Sequence, residues 1–135
     1  MLRKDAKIEL LKRVPLFYAC SKDELAQIAA LADELHLPQA RDLTREGAAG
    51  WEFLILVEGE ADVLRDGQLV NELGPGDFIG EIALVTGQPR TATVRTRGPA
   101  RILVLTASAF RVLMHDVPSI EEKVLSALAA RIPDE

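Results

Sequence analysis

The chain of 135 residues contains one cysteine and two histidines, and aromatic residues make up only 4% of it. Cys20 cannot form an internal disulfide, and a zinc site built on several cysteines is excluded. His36 and His115 are too few and too scattered for a multi-histidine metal centre. No stretch approaches the roughly 18 apolar residues of a membrane span, and the basic N-terminus lacks the apolar run of a signal peptide. We therefore expect a cytoplasmic protein with no metal, no cofactor and no membrane association.

Acidic residues are also missing from residues 82–115, although the whole chain carries a net charge of −5 at pH 7. Five arginines fall in this window, namely Arg90, Arg95, Arg97, Arg101 and Arg111. The negative total argues against nucleic acid as the main partner, whereas the local positive field suits a small anion. Because Arg95 and Arg97 stand two residues apart, we expect the arginines other than Arg90 to cover a solvated sheet face.

The remaining composition, 48% apolar and 27% charged, is typical of one folded domain spanning residues 1–135. A short helix is predicted over residues 5–13. A second helix begins after Ser21, which forms an S-x-x-E capping box with Glu24. Its apolar residues keep helical spacing as far as Leu35, and we assign residues 5–34 to an N-terminal helical part.

Residues 35–105 read as short strands joined by glycine-rich turns. Residues 53–57 form a continuous apolar run that predicts a buried strand. The Asp66-Gly67 pair predicts a type I′ hairpin, and residues 74–77 predict a second tight turn. This pattern favours a mainly β fold with flanking helices: an antiparallel, jelly-roll-like β-roll with N-terminal helices and C-terminal lid helices.

Helical character returns over residues 107–132. Pro118 interrupts it, and Ser119 with Glu122 predicts a second capping box. The last helix carries an apolar stripe that includes Leu128 and Ile132. Core packing is the common use of such a stripe, and contact with a ligand or a partner is the alternative.

Residues 79–92 do not read as ordinary sheet, because a strand breaks at Gly80 and one helical turn follows. A helix this short leaves backbone N–H groups unpaired, and such groups bind anions. Gly80 permits close approach of a ligand to the backbone, and Arg90 can form two parallel hydrogen bonds with a phosphate. Glu81 would repel a phosphate but accepts well from vicinal hydroxyls. A Glu81–Arg90 salt bridge that closes a surface loop is the structural alternative.

The segment Gly80-Glu81-Ile82-Ala83-Leu84, followed by Arg90-Thr91-Ala92, resembles the phosphate-binding cassette of cyclic nucleotide-binding domains. That family includes regulatory subunits of cyclic-AMP-dependent protein kinase, catabolite-activator-type transcription factors and cyclic-nucleotide-gated channels. The segments Val14-Pro15-Leu16-Phe17 and Gly76-Asp77-Phe78-Ile79 also resemble the family, so the resemblance extends over about residues 8–132.

The resemblance implies a set of nucleotide-binding residues. These are Gly80, Glu81, Ile82, Ala83, Arg90, Thr91 and Ala92. Arg90 would pair with the cyclic phosphate, backbone N–H groups near Ala83 and Ala92 would complete the cradle, and Glu81 would accept from the ribose 2′-hydroxyl. With Thr91 at this position, cyclic GMP remains a candidate ligand beside cyclic AMP, because the threonine hydroxyl can contact the 2-amino group of a syn guanine.

The resemblance also implies pocket walls and a cap over the base. Val63 and Val70 are the candidate walls, with plain core packing as their alternative role. Leu128, Arg131 and Ile132 in the last helix are the candidate base caps.

We therefore expect a regulatory module that binds cyclic AMP or cyclic GMP and signals to a partner protein. A homodimer formed through the last helix is left open. A docking module with the same fold and no ligand is the alternative, and a cupin-type metalloenzyme is disfavoured by the small number of histidines. We expect no enzymatic activity and no catalytic residue, since no Ser/His/Asp or Cys/His arrangement is apparent.

Overall fold

The computed structural model describes residues 2–49, 52–87 and 89–131. The N-terminal part contains α1 (Lys4–Lys12), a 3₁₀ turn (Pro15–Phe17) and α2 (Lys22–Leu31). The strands are β1 (Asp33–Leu37), β2 (Asp42–Thr44), β3 (Glu52–Glu58), β4 (Ala61–Arg65), β5 (Gln68–Leu73), β6 (Phe78–Ile79), β7 (Thr93–Thr96) and β8 (Ala100–Thr106). The short helix α3 (Ala83–Thr86) lies between β6 and β7, and α4 (Ala107–Asp116) and α5 (Pro118–Arg131) follow β8.

The strands form two four-stranded antiparallel sheets. The inner sheet has the order β1-β8-β3-β6, and the outer sheet has the order β2-β7-β4-β5. Every strand pair is antiparallel. The predicted antiparallel β-roll with helices at both ends is confirmed.

The strand β3 of the inner sheet is buried on both faces, which explains its continuous apolar run. Phe53 and Ile55 belong to a core shared with the helices, whereas Leu54 and Leu56 belong to a second core between the two sheets. Side chains alternate between the faces of a strand, so a strand covered on both sides needs apolar residues at every position.

The helical core is centred on Phe17, which lies in the 3₁₀ turn and is fully buried. Its ring centroid is 6.1 Å from that of Phe53 in β3 and 5.6 Å from that of Phe110 in α4. Burial of each such side chain stabilises the fold by roughly 1.5–3 kcal/mol. The N-terminal turn is therefore attached to both the inner sheet and the C-terminal helices.

The helix α2 begins as predicted and ends earlier than predicted. Both hydrogen bonds of the Ser21–Glu24 capping box are present. The helix stops at Leu31, and Asp33 begins β1, so the expected helical face through Leu35 is wrong. Leu35 is 45% exposed and pairs with Ile102 of β8. The physical reason is that pairing with β8 outweighs the local helical pattern.

The start of α5 also differs from the prediction. The helix begins at Pro118, whose missing N–H suits a first helical position, so Ser119 is not the cap. The Ser119 hydroxyl instead donates to Glu24 over 2.6 Å, and the Lys123 ammonium donates to the same carboxylate over 2.5 Å. Hydrogen bonds from Lys123, Ser119 and the Ser21 backbone lower the pKa of Glu24 to about 2. This buried carboxylate joins α2 to α5.

The predicted hairpin between β4 and β5 is confirmed. Asp66 and Gly67 have φ angles of 54° and 77°, as a type I′ turn requires. Ahead of the turn, the register shifts between Val63 and Leu64: Val63 faces Asn71, while Leu64 faces Leu69. This shift leaves an extra residue, at position 70, on β5.

Candidate ligand-binding cleft

A cleft of about 580 Å³ lies against the outer sheet, a volume within the usual range for small-molecule sites. It is lined by Thr44, Val63, Arg65, Asn71, Leu73, Phe78, Ile79, Gly80, Glu81, Ile82, Ala83, Pro89, Arg90, Thr91, Ala92 and Val94. All seven residues of the predicted nucleotide-binding set line this one cleft. We call residues 79–92 the cassette.

Gly80 allows the cassette to turn sharply where β6 ends. Its φ angle is +83°, a left-handed conformation that other residues rarely adopt. A Cβ atom at this position would lie 2.0 Å from Nη1 of Arg90 and 2.9 Å from the carbonyl oxygen of Glu52. The Arg90 side chain therefore occupies the space that a side chain at position 80 would need.

The helix α3 anchors the cassette to the helical core. Leu84 is fully buried and belongs to that core. The turn is closed by hydrogen bonds from Leu84 N to Gly80 O and from Thr86 N to Ile82 O, of 3.1 and 3.0 Å. Within the described residues, the backbone N–H of Ala83 donates no hydrogen bond. A movement of the cassette would thus be transmitted to the core through Leu84.

Arg90 is half-buried in the cleft, and its guanidinium donates to the carbonyl oxygen of Glu52 at the start of β3. Burial lowers the pKa of Arg90, and the nearby Glu52 carboxylate partly opposes this effect. Arg90 forms no ion pair with any described residue, Glu81 included. The alternative of a Glu81–Arg90 salt bridge is therefore wrong.

Other arginines of the same acid-free window are paired with carboxylates. Arg95 pairs with Asp42, and Arg97 and Arg101 each contact more than one carboxylate. Arg95 in β7 and Arg97 just after it are exposed on the outer sheet, as predicted. The prediction of a solvated sheet face is wrong for the other two arginines, because the Arg101 side chain is only 18% exposed and Arg111 lies on α4. Arg90 differs from the three paired arginines because its cation faces the cleft without a carboxylate partner among the described residues.

Neighbouring loops hold the C-terminal end of the cassette in place. The backbone of Arg90 exchanges two hydrogen bonds of 2.8 Å, with Gly47 N and Ala48 O. The carbonyl of Thr91 accepts from Nε of Arg65, and that of Ala92 accepts from the Thr44 hydroxyl. Among the described residues, the N–H of Ala92 donates no hydrogen bond. Arg90 and the two residues with unbonded N–H groups, Ala83 and Ala92, therefore line one cleft.

Glu81 has a contact that the sequence analysis missed. Its side chain is only 5% exposed, and Oε2 accepts a hydrogen bond from the backbone N–H of Leu16 over 3.1 Å. Sixty-five residues separate the two partners, so no local pattern could have indicated this bond. The carboxylate lines the cleft and also reaches the N-terminal 3₁₀ turn.

The structure places the two predicted pocket walls, Val63 and Val70, differently. Val63 lines the cleft, but Val70 does not and is 50% exposed. The register shift in β5 is the reason, because Asn71 is the residue opposite Val63 and shares its face. Leu73, two residues further along the same face, supplies the second apolar side chain.

The predicted base caps do not line the cleft in this structure. Leu128 is partly buried and packs against the helical core. The side chain of Arg131 and the whole of Ile132 lie outside the described residues. The helix α5 packs against α4 and the Pro15–Phe17 turn, on the other side of the inner sheet from the outer sheet.

Sequence reasoning also missed Thr44, Arg65 and Asn71, which add polar groups to the cleft wall. The period-2 alternation from Val63 to Arg65 was the available signal for one of them. Groups of His, Cys, Asp and Glu that could hold a metal ion are not found among the described residues. No helix in the described ranges is long and apolar enough to cross a membrane.

Comparison with known proteins gives a family for this geometry. The sequence profile of the cyclic nucleotide-binding domain matches residues 34–116. A cyclic nucleotide-gated potassium channel of Rhizobium etli is 34% identical over 116 residues, which is 86% of this chain and 32% of the channel. A cAMP-dependent protein kinase regulatory subunit of Mycosarcoma maydis is 36% identical over 124 residues, which is 85% of this chain and 24% of the subunit. The chain thus spans a third or less of these curated relatives.

Solved structures share the fold over most of the chain. The N-terminal domain of a transcriptional regulator from Streptomyces coelicolor A3(2) matches with a TM-score of 0.83 at 28% identity, covering 93% of this chain and 90% of that one. A cyclic nucleotide-binding domain from Methylobacillus flagellatus matches with a TM-score of 0.77 at 26% identity, covering 97% and 79%. From the profile match and these relatives, we conclude that the chain belongs to the cyclic nucleotide-binding domain family.

Proposed function

We propose that this chain binds a 3′,5′-cyclic nucleotide in the cleft, with cyclic AMP as the expected ligand and cyclic GMP as the alternative. The observation that carries the proposal is the state of Arg90. Its guanidinium is half-buried in the cleft without a carboxylate partner among the described residues, while Arg95, Arg97 and Arg101 are ion-paired. A desolvated cation of this kind gains most from an anion that brings its own charge.

The phosphate of the ligand would take the place next to Arg90. The guanidinium would exchange the carbonyl oxygen of Glu52 for two phosphate oxygens, because a planar fork matches phosphate with two parallel hydrogen bonds. Ala83 and Ala92 line the same cleft, and their backbone N–H groups would donate to the remaining oxygens. Gly80 keeps this approach open, since it places no side chain between backbone and ligand.

The ribose and the base would extend from the phosphate along the cleft wall. Glu81 would accept from the 2′-hydroxyl, as a carboxylate accepts strongly from hydroxyl groups. Val63 and Leu73 offer an apolar surface to one face of the base. Thr91 lines the same cleft, and its hydroxyl would contact a purine edge.

We further propose that binding acts as a regulatory signal to a partner protein in the cytoplasm. A ligand that moves the cassette towards the cleft would displace Leu84, which is packed in the same core as Phe110 of α4. The C-terminal helices after Leu105 would then shift. This works as a switch only if the nucleotide binds the two arrangements with different affinity. A cap over the base from Leu128, Arg131 or Ile132 requires such a shift of α5. A homodimer that forms through the shifted α5 would require it as well.

The first test is isothermal titration of nucleotide-stripped protein with cyclic AMP, cyclic GMP and, as a control, 5′-AMP. We expect micromolar or tighter binding of a cyclic nucleotide and much weaker binding of 5′-AMP, whose phosphate carries an additional charge and lacks the ring. Stripping is needed because a co-purified nucleotide would mask the site.

Absence of heat with both cyclic nucleotides, together with an unshifted melting temperature, would contradict the proposal. The ligand-free docking module would then be the function to pursue. Equal affinity for 5′-AMP would also contradict it, because the cleft would then be a general phosphate site.

A further inference from the structure

Two consecutive carbonyls at the C-terminal end of the cassette are held by residues outside it. Nε of Arg65 in β4 donates to the carbonyl of Thr91 over 3.2 Å. The hydroxyl of Thr44 in β2 donates to the carbonyl of Ala92 over 3.0 Å, and it also accepts from the N–H of Val94. Thr44 is only 7% exposed, so this contact is buried. The carbonyls on both sides of Ala92 are therefore bonded, while its own N–H donates no hydrogen bond among the described residues.

The peptide group between Thr91 and Ala92 connects the Arg65 contact with that N–H. A peptide group is planar, and this one is trans, so its C=O and its N–H point in opposite directions. The C=O of Thr91 points to Arg65, and the N–H of Ala92 therefore points away from Arg65. A donor that fixes the carbonyl thus also fixes the direction of the N–H. Thr91 and Ala92 line the cleft, so this peptide group borders the volume in which we place the phosphate.

The end of β4 that carries Arg65 is itself attached to the loop after β2. Oε1 of Glu46 in that loop accepts from the N–H of Asp66, the residue after Arg65, over 3.0 Å. The N–H of Glu46 donates to the hydroxyl of Thr93 over 3.1 Å. Arg65 forms no ion pair with any described residue, so the carbonyl of Thr91 is the partner of its guanidinium. The donor that holds the cassette is thus fixed in place and is not occupied by a carboxylate.

Resting on the proposed function, we propose that Arg65 is a positioning residue for the phosphate: by holding the Thr91 carbonyl, it directs the Ala92 N–H towards the phosphate oxygens. Arg90 supplies the charge, and Arg65 sets the direction of a neutral donor. An N–H group that is fixed before the ligand arrives loses less conformational freedom on binding than a mobile one, so it contributes more to affinity. This role does not require the Arg65 guanidinium to touch the ligand.

Two substitutions separate positioning from attraction by charge. Arg65→Gln places an amide nitrogen where arginine has Nε, so the donor is kept and the charge is lost. Arg65→Lys keeps the charge and places a carbon there. By titration calorimetry with cyclic AMP, we expect the affinity of Arg65→Gln to stay within about twofold of the parent. Arg65→Lys and Arg65→Ala should bind about 2- to 12-fold more weakly, the range for one hydrogen bond. Arg95→Ala removes an exposed cation outside the cleft and should bind as the parent does.

A second measurement observes the Ala92 amide itself, by NMR of the ¹⁵N-labelled protein saturated with cyclic AMP. A hydrogen bond from an N–H to a phosphate oxygen transmits a scalar coupling between the amide and ³¹P. We expect this coupling at both Ala83 and Ala92 in the parent and in Arg65→Gln. In Arg65→Ala it should persist at Ala83 and weaken at Ala92, because Ala83 lies on α3, to which Arg65 donates no hydrogen bond within the described residues. A general loss of stability would not change one coupling and spare the other.

The outcomes separate this inference from the proposed function. If no cyclic nucleotide binds the parent, the proposed function fails and the inference fails with it. If cyclic AMP binds and Arg65→Gln loses as much affinity as Arg65→Ala, the nucleotide site stands and the positioning role is wrong. Affinity that is kept by Arg65→Lys and lost by Arg65→Gln would show that Arg65 attracts the phosphate through its charge. An unchanged coupling at Ala92 in Arg65→Ala would show that the peptide group keeps its direction without Arg65.

Discussion

The helical part and the cleft each contain a charged group removed from water, and they treat it in opposite ways. Glu24, which is 7% exposed, receives hydrogen bonds from Lys123, Ser119 and Ser21, so its charge is fully compensated. Among the described residues, the Arg90 side chain donates only to a backbone carbonyl oxygen, that of Glu52, and burial lowers the pKa of Arg90. The compensated Glu24 carboxylate holds two elements together, whereas under our proposal the half-buried Arg90 guanidinium is left to pair with the phosphate of a ligand. The contrast predicts that substitutions at Glu24 change stability and that substitutions at Arg90 change binding.

The strongest way to break this contrast is Arg90→Ala. We expect cyclic nucleotide affinity to fall by roughly 10- to 150-fold, because a hydrogen-bonded charge pair contributes about 1.5–3 kcal/mol. Stability should fall by no more than about 0.5–1.5 kcal/mol, the contribution of the hydrogen bond that the guanidinium donates to the Glu52 carbonyl oxygen. Titration calorimetry and thermal unfolding measure the two effects.

Arg95→Ala is the matched control for that variant. Arg95 is exposed and pairs with Asp42 on the outer sheet, and an exposed pair contributes about 0–1 kcal/mol to stability. Its affinity should stay within a factor of about two of the parent, as expected for a residue outside the cleft. Equal losses for the two variants would mean that general positive charge, and not Arg90 in particular, attracts the ligand.

Glu24→Gln should have the reverse profile, with stability reduced by about 1–3 kcal/mol at pH 7 and nucleotide affinity retained. Folding lowers the pKa of Glu24 from 4.5 to about 2, so the folded state binds this proton less readily than the unfolded chain. The ionised carboxylate therefore contributes in full above pH 4.5, and its contribution is lost as the pH falls towards 2.

Denaturant unfolding of the parent and Glu24→Gln between pH 7 and pH 2 tests this sign. The difference in unfolding free energy should narrow steadily below pH 4.5. A difference that is constant with pH would show that the amide loses packing and not charge. A loss of nucleotide affinity in this variant would remove the division between the two regions.

A pair of glycines gives the smallest and most local comparison. Gly80 and Gly67 have similar φ angles of +83° and +77°, so alanine at either position costs roughly 1–2 kcal/mol of backbone strain. An added Cβ at Gly67 meets nothing within 4 Å, but at Gly80 it collides with Arg90. Gly80→Ala should therefore lose both stability and affinity, and Gly67→Ala stability alone. Similar affinity for the two variants would mean that the Gly80–Arg90 approach is unimportant for binding.

Local sequence signals predicted the parts of this fold that depend on a few consecutive residues. The Asp66-Gly67 turn needs two left-handed residues, and the Ser21–Glu24 box needs two side chains three positions apart. Both signals are complete within four residues. The apolar run in β3 predicted a buried strand for the same reason, because a strand that is buried on both faces has apolar residues at successive positions.

Signals failed where a distant partner decides the outcome. The apolar residues do keep helical spacing as far as Leu35, but residues of that segment pair with β8 and form the strand β1. Val70 seemed to continue a strand face, yet the register shift in β5 places Asn71 there. Ser119 had the spacing of a cap, but Glu24 uses its hydroxyl. In each case the competing group lies far away in sequence.

The sequence by itself determined the β-roll and the positions of its turns through short-range pattern, and its resemblance to cyclic nucleotide-binding domains indicated the residues of the cassette. Only the tertiary structure decided which partners those residues have. It set the Arg90 guanidinium against the Glu52 carbonyl and the Glu81 carboxylate against the Leu16 amide. Those contacts join segments that are 38 and 65 residues apart, and long-range packing of the two cores brings them together.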